Sequence, residues 1–119
     1  MQMQIGKSKI GDSHPTFIIA EMSANHGHEL NKAKELIYAA KESGASAIKL
    51  QTYTADTLTL NHKSADFYIS KGPWSGQYMH DLYKSAYTPW DWHAELFELA
   101  NKIGIDIFSS PFDSTAVDF

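Results

Sequence analysis

The first sustained apolar run is FIIA, residues 17–20, directly after the polar segment that ends at Pro15. A short run with no polar break predicts a strand covered on both faces, as in a parallel sheet. The period then changes. Within residues 31–43, Ala33, Leu36, Ile37 and Ala40 fall on one helical stripe, with Asn31 placed to cap the start and Gly44 to end it. AIKL, residues 47–50, predicts the next strand. A strand, a helix and a strand in this order form a right-handed crossover with parallel strands. Residues 53–87 hold no clean period except over 78–85 (YMHDLYKS), so they read as a long excursion carrying one short helix. Long insertions in compact domains usually serve a function. A second long helix follows. Thr88 is placed as its N-cap, Pro89 as its first residue and Asp91 as the third, and Trp92, Leu96, Leu99 and Ile103 recur at helical spacing up to Gly104. IDIF, residues 105–108, predicts a third strand, and Asp113 or Ser114 can cap one further helix. At the front, residues 2–5 and 9–10 can pair as a small hairpin around residues 6–8.

Three parallel strands leave two open edges, and a parallel sheet wants cover on both faces. Two complete helices do not supply it, and closing a barrel takes about eight strands. The expected fold class is α/β, a partial (β/α)₈ TIM barrel made of an N-terminal hairpin and the first three βα units. Residues 1–119 then read as the N-terminal part of a larger barrel domain. Alone they are expected to be marginal, aggregating or partly disordered. The alternative is a small, self-sufficient three-stranded α/β domain.

Composition narrows the partners. The chain has 119 residues, 43% hydrophobic and 20% charged, the balance of an ordinary globular protein. A formal net charge of -4 argues against a nucleic-acid partner, which needs clustered Lys and Arg. There is no cysteine, so disulfides and thiolate metal sites are excluded. No leader-like apolar segment stands at the front, and no run nears the roughly 20 apolar residues of a membrane span. The expectation is a cytoplasmic protein with neither nucleic acid nor membrane as partner. Glycine-rich dinucleotide and phosphate loops, the GxSxG elbow and the HExxH zinc motif are all missing.

Polar residues gather where each strand ends. Glu21, Ser23, Asn25 and His26 follow the first strand. Lys49, Gln51 and Thr52 belong to the second, and Ser109, Ser110 and Asp113 follow the third. In parallel strands these ends share one rim, where β/α barrels place their sites. Lys49 stands inside an apolar strand, and alternation puts Ala47, Lys49 and Gln51 on one face. A buried ammonium needs an anion or must lose its proton. Glu21 lies in register with the inward residues of its own strand if Phe17 and Ile19 face in. Two readings stand side by side: a structural Glu21–Lys49 ion pair, or a Lys49 that binds a substrate phosphate or carboxylate with Glu21 facing a second substrate. His26 and His28 can ligate a metal or simply hold a loop. Ser109, Ser110 and the following helix start can hold a phosphate, or Asp113 and Ser114 merely cap that helix. Trp90, Trp92, Tyr87 and His93 read as a binding cluster or as packing. Trp74, in KGPWSG, can serve a lid or a subunit contact.

Three blocks together carry a resemblance: AE-x-SANH over residues 20–26, KLQTY over 49–53 and FSSPFD over 108–113. Their order and spacing resemble the opening of the sialic acid synthase family. LYKSAYTPWDWH, residues 82–93, is similar to the pseudaminic acid branch of that family, and the resemblance spans nearly the whole chain. It implies a barrel followed by a C-terminal antifreeze-like domain, working as a homodimer. The implied reaction joins phosphoenolpyruvate, through its C3, to the open-chain aldehyde of an N-acetylated amino sugar, with loss of phosphate. For the pseudaminic branch that sugar is 2,4-diacetamido-2,4,6-trideoxy-L-altrose. N-acetylneuraminate and legionaminate synthases run the same chemistry, and a non-catalytic phosphate-ligand binding module is the alternative of another class. Within the resemblance Glu21 matches the active-site glutamate, Lys49 a lysine contacting phosphoenolpyruvate and Gln51 a sugar-binding position. Asn25, His26, Ser110, Phe112 and Asp113 join them as expected substrate-binding residues. The family's divalent metal, Mn²⁺ or Mg²⁺, is expected to find its ligands outside this chain. The isolated chain is therefore expected to be inactive.

Overall fold

A computed structural model of the chain describes residues 3–119. It opens with an antiparallel hairpin of β1 (Met3–Ile5) and β2 (Ser8–Ile10), as the front of the sequence predicts, with Gln2 outside the described residues. The chain then builds a parallel sheet of β3 (Ile19–Glu21), β4 (Ala47–Thr52) and β7 (Asp106–Pro111), in the order β3-β4-β7. Helix α1 (Leu30–Glu42) connects the first pair. Helix α4 (Trp92–Ile103) leads into β7, and α5 (Ser114–Asp118) follows it. The architecture is the expected α/β class. Its strands start or end two or three residues later than the apolar runs alone indicate, because pairing continues into the polar residues beyond them.

Both long helices pack on one face of the sheet. Ala33, Ile37 and Ala40 of α1 and Leu96 and Ala100 of α4 are buried against Met22, Ile48, Leu50 and Ile105. Each large aliphatic side chain buried there contributes about 1.5–3 kcal/mol. Glycines end both helices as predicted. Gly44 has φ +82° and Gly104 φ +76°, a region open to glycine at little cost. The Ile105 N–H then reaches back to the Ala100 carbonyl at 3.0 Å and closes α4.

Three expectations change. Asn31 does not cap α1: its N-cap is Glu29, whose side chain makes no capping bond. Thr88 does not cap α4. The chain first makes a tight turn, with Trp92 N–H to Pro89 C=O and His93 N–H to Trp90 C=O, and the N-cap position falls to Asp91. The Thr88 hydroxyl is needed elsewhere, as described below. Finally, β3 is not covered on both faces. Ile18, just before β3, is 57% exposed and Ile19 39%, and β3 pairs only with β4 among the described residues.

The excursion is more ordered than its lack of period predicts. It holds α2 (Ala55–Leu58), a 3₁₀ turn (Ala65–Phe67) and an antiparallel hairpin of β5 (Tyr68–Ile69) and β6 (Gln77–Tyr78). The foreseen helix, α3 (Met79–Ala86), follows one residue late. Strands two residues long leave no alternation to read. Trp74 projects from this hairpin's turn and is 58% exposed.

Candidate functional site

Pleating sorts the residues of β4. Ile48, Leu50 and Thr52 face the helices, while Ala47, Lys49 and Gln51 project from the other side. Register then assembles that second face from all three strands. Glu21 stands opposite Lys49, Lys49 opposite Phe108, and Gln51 opposite Ser110. The Lys49 ammonium reaches the Glu21 carboxylate at 2.7 Å, with the two side chains 27% and 52% exposed. The amine is thus paired, and both groups remain open to an incoming solute. At the opposite end of this face the β1–β2 turn closes in. A Cβ on Gly6 would lie 2.5 Å from an Asp106 carboxylate oxygen.

The remaining candidates divide. Asn25 lies exposed in the turn after β3, its N–H bonded to the Met22 carbonyl at 3.0 Å. Phe112 is 43% exposed just beyond β7 and meets the Tyr53 ring edge-on at 5.5 Å. Asp113 caps α5: its carboxylate accepts from the Thr115 and Ala116 N–H groups and from the Thr115 hydroxyl. Those bonds, the hydroxyl's foremost, hold its pKa below the usual carboxylate value.

His26 is the candidate that the structure moves furthest from its expected place. It is fully buried on the helix side of the sheet, edge-on to Trp92 at 5.5 Å. Its Nδ1 accepts the His28 N–H at 3.0 Å, so the neutral ring carries its proton on Nε2 and donates it to Thr88 Oγ1, also at 3.0 Å. With both nitrogens engaged, His26 is placed to hold a loop rather than to touch a solute on the Lys49 face. Burial lowers its pKa, and the neighbouring His28 lowers it further. Nor do His26 and His28 offer a metal holder. Among the described residues no three His, Asp or Glu side chains cluster for one.

One set of contacts at the rim is not visible in the sequence. His93 is buried, and its Nδ1–H donates to the Trp90 carbonyl at 3.1 Å. Its Nε2 therefore accepts the Thr52 hydroxyl at 2.7 Å, and Thr52 Oγ1 in turn accepts from Ser109 at 2.6 Å. Trp90 Nε1–H also donates to the Tyr53 carbonyl at 3.1 Å. Trp90, Trp92 and His93 thus fasten the start of α4 to the ends of β3 and β4. That favours the packing reading of this cluster. The histidines stand 41 or more residues from their hydroxyl partners, so spacing gives no hint of either contact.

Comparison with known proteins gives the family. Residues 36–119 match the NeuB family. The pseudaminic acid synthase of Helicobacter pylori is 53% identical over 104 residues, 87% of this chain and 31% of that protein. That of Campylobacter jejuni serotype O:2 is 50% identical over 117 residues, 98% of this chain and 34% of its own. The chain therefore spans about a third of the length of these curated relatives. Among solved structures, an N-acetylneuraminic acid synthetase from Leptospira borgpetersenii, in complex with citrate, superposes with a TM-score of 0.81 at 30% identity. The match covers 99% of this chain and 36% of that one. A family match over most of the sequence, relatives at half identity and a shared α/β architecture lead to one conclusion: this chain belongs to the NeuB family.

Proposed function

We propose that these residues form part of a nonulosonic acid synthase that condenses phosphoenolpyruvate with 2,4-diacetamido-2,4,6-trideoxy-L-altrose. The observation that carries this reading is the Glu21–Lys49 pair, 2.7 Å apart on the face of the sheet turned away from α1 and α4. An ammonium there can receive the carboxylate or phosphate of phosphoenolpyruvate, and a carboxylate beside it can steer a proton at the reacting centre. In the reaction C3 of phosphoenolpyruvate forms a bond to the sugar aldehyde carbon. Water adds at C2, and the C2–O bond breaks to release inorganic phosphate. Gln51 and Ser110, neighbours across β4 and β7, are placed to bind polar groups of the substrates on the same face.

The sheet is best understood as one arc of a (β/α)₈ barrel, with this face toward the lumen. Residues 1–119 would then be the N-terminal part of the synthase domain. The divalent cation that the family resemblance implies, Mn²⁺ or Mg²⁺, belongs to the same proposal, with its ligands outside these residues. A homodimer and a cytoplasmic location belong to the same proposal. Identity of 53% and 50% to pseudaminic acid synthases favours this sugar. An N-acetylneuraminate product is the second reading, favoured by the Leptospira structure.

The test is phosphate release by the protein made from the complete reading frame that encodes this chain. Turnover with the altrose derivative and none with N-acetylmannosamine is expected, and the reverse preference would replace the first reading with the second. Lys49→Ala should raise KM for phosphoenolpyruvate about tenfold to 100-fold, since bonds to charged groups are worth roughly 1.5–3 kcal/mol. An unchanged KM would remove Lys49 from the site.

A further inference from the structure

We propose that His93 is a positioning residue. Through Thr52 and Ser109 it fixes the ends of β4 and β7, and thereby sets where Gln51 and Ser110 stand on the opposite face. The proposal adds an element of control to the site described above and rests on that reading only for its kinetic consequence.

The chain of bonds has one direction. The Trp90 carbonyl only accepts, so it takes the proton of His93 Nδ1. The neutral ring's Nε2 is then an acceptor, which obliges Thr52 to donate at 2.7 Å and leaves its oxygen to accept from Ser109 at 2.6 Å. Thr52 is 2% exposed and His93 7%, so the central bond of the chain, Thr52 to His93, is shielded from water. Their partners lie on three separate elements, α4, β4 and β7. Thr52 directly follows Gln51, and Ser109 directly precedes Ser110. In a pleated strand, adjacent residues point to opposite faces but share one peptide plane. Moving Thr52 or Ser109 therefore moves Gln51 or Ser110. The Phe112 N–H to Thr52 carbonyl bond at 3.2 Å extends the same brace past the end of β7. Groups that orient substrate must be held tightly, because a displacement of about 1 Å can cost about 100-fold in rate.

Three variants test this: His93→Phe, which keeps bulk but neither bond; His93→Gln, which keeps a polar tip near Nε2; and Thr52→Val, which breaks the middle link. First, ¹⁵N spectra of the imidazole of the unaltered protein should show the neutral ring protonated at Nδ1. Backbone amide signals of Gln51 and Ser110 should shift in His93→Phe and return toward their original positions in His93→Gln. Second, in the protein from the complete reading frame, His93→Phe should lower kcat about tenfold to 100-fold. Adding it to Thr52→Val should cost little more, because the chain is already broken. The proposal is overturned if the Gln51 and Ser110 signals do not move in a folded His93→Phe protein. Fully additive losses in the double variant overturn it as well. If the unaltered protein turns over neither sugar, the functional reading fails instead, and the amide signals still decide the role of His93.

Discussion

Lys49 and His26 show opposite fates for polar residues set among apolar ones. Lys49 meets Glu21 on the open face of the sheet, while His26 is buried and satisfied on both nitrogens. Glu21→Gln should lower kcat about 100-fold or more if its carboxylate moves a proton in the reaction, with KM for phosphoenolpyruvate nearly unchanged. Loss of affinity without loss of turnover would limit Glu21 to pairing with Lys49. His26 and His93 also predict a dependence of stability on pH. Burial is the leading cause that lowers both pKa values from 6.5. The unfolded chain then binds more protons than the folded one below that value. Stability is complete above about pH 6.5 and falls as the pH drops toward the folded-state pKa values. Urea melts between pH 8 and 5 should show the decline, and a flat profile would count against neutral, buried rings. Alternation alone was enough to single out Lys49, because it is a charge in an apolar run. His93 is legible only as a member of an aromatic cluster, because a histidine at the start of a helix has the same local pattern whether or not a hydroxyl waits 41 residues away.

Among the elements, the long helices and the strands they join are readable in outline, because each helix rests on a sustained period that stops at a glycine and each strand on an apolar run. Gly104→Ala tests one such end. At φ +76° a side chain is strained by about 1–2 kcal/mol, and a matching drop in unfolding free energy is expected. A change near zero would mean that the Ile105–Ala100 bond holds the turn without help. The start of α4 departs from its local signal for an equally physical reason. A threonine before a proline is a good cap locally, but the Thr88 hydroxyl instead receives the proton of buried His26. The β5–β6 hairpin leaves no mark in the sequence because its strands are too short to show a period.

The molecule as a whole is open. Its radius of gyration is 16.5 Å, with extents of 50 × 34 × 30 Å, against about 13.5 Å for a compact domain of this length. Its accessible surface is 7840 Å², about a fifth more than compact monomers of this mass expose. β3 and β7 each pair on one side only, among the described residues. Two free parallel edges favour self-association. A polypeptide of these residues alone is expected to sediment as aggregates and to release no phosphate from phosphoenolpyruvate. A monodisperse, active preparation would refute both expectations. The order of strands and helices is legible because apolar runs and helical periods encode it locally. The openness was legible only as a count of strands against the cover they need.

The pleat of β4 has a consequence for descent. Alternate positions of one six-residue strand answer to different demands: Ile48 and Leu50 to folding, Lys49 and Gln51 to whatever the open face receives. Mutations that retune recognition can therefore accumulate at the odd positions while the even ones keep the fold intact. Such a strand lets the open face change its chemistry without rebuilding the scaffold.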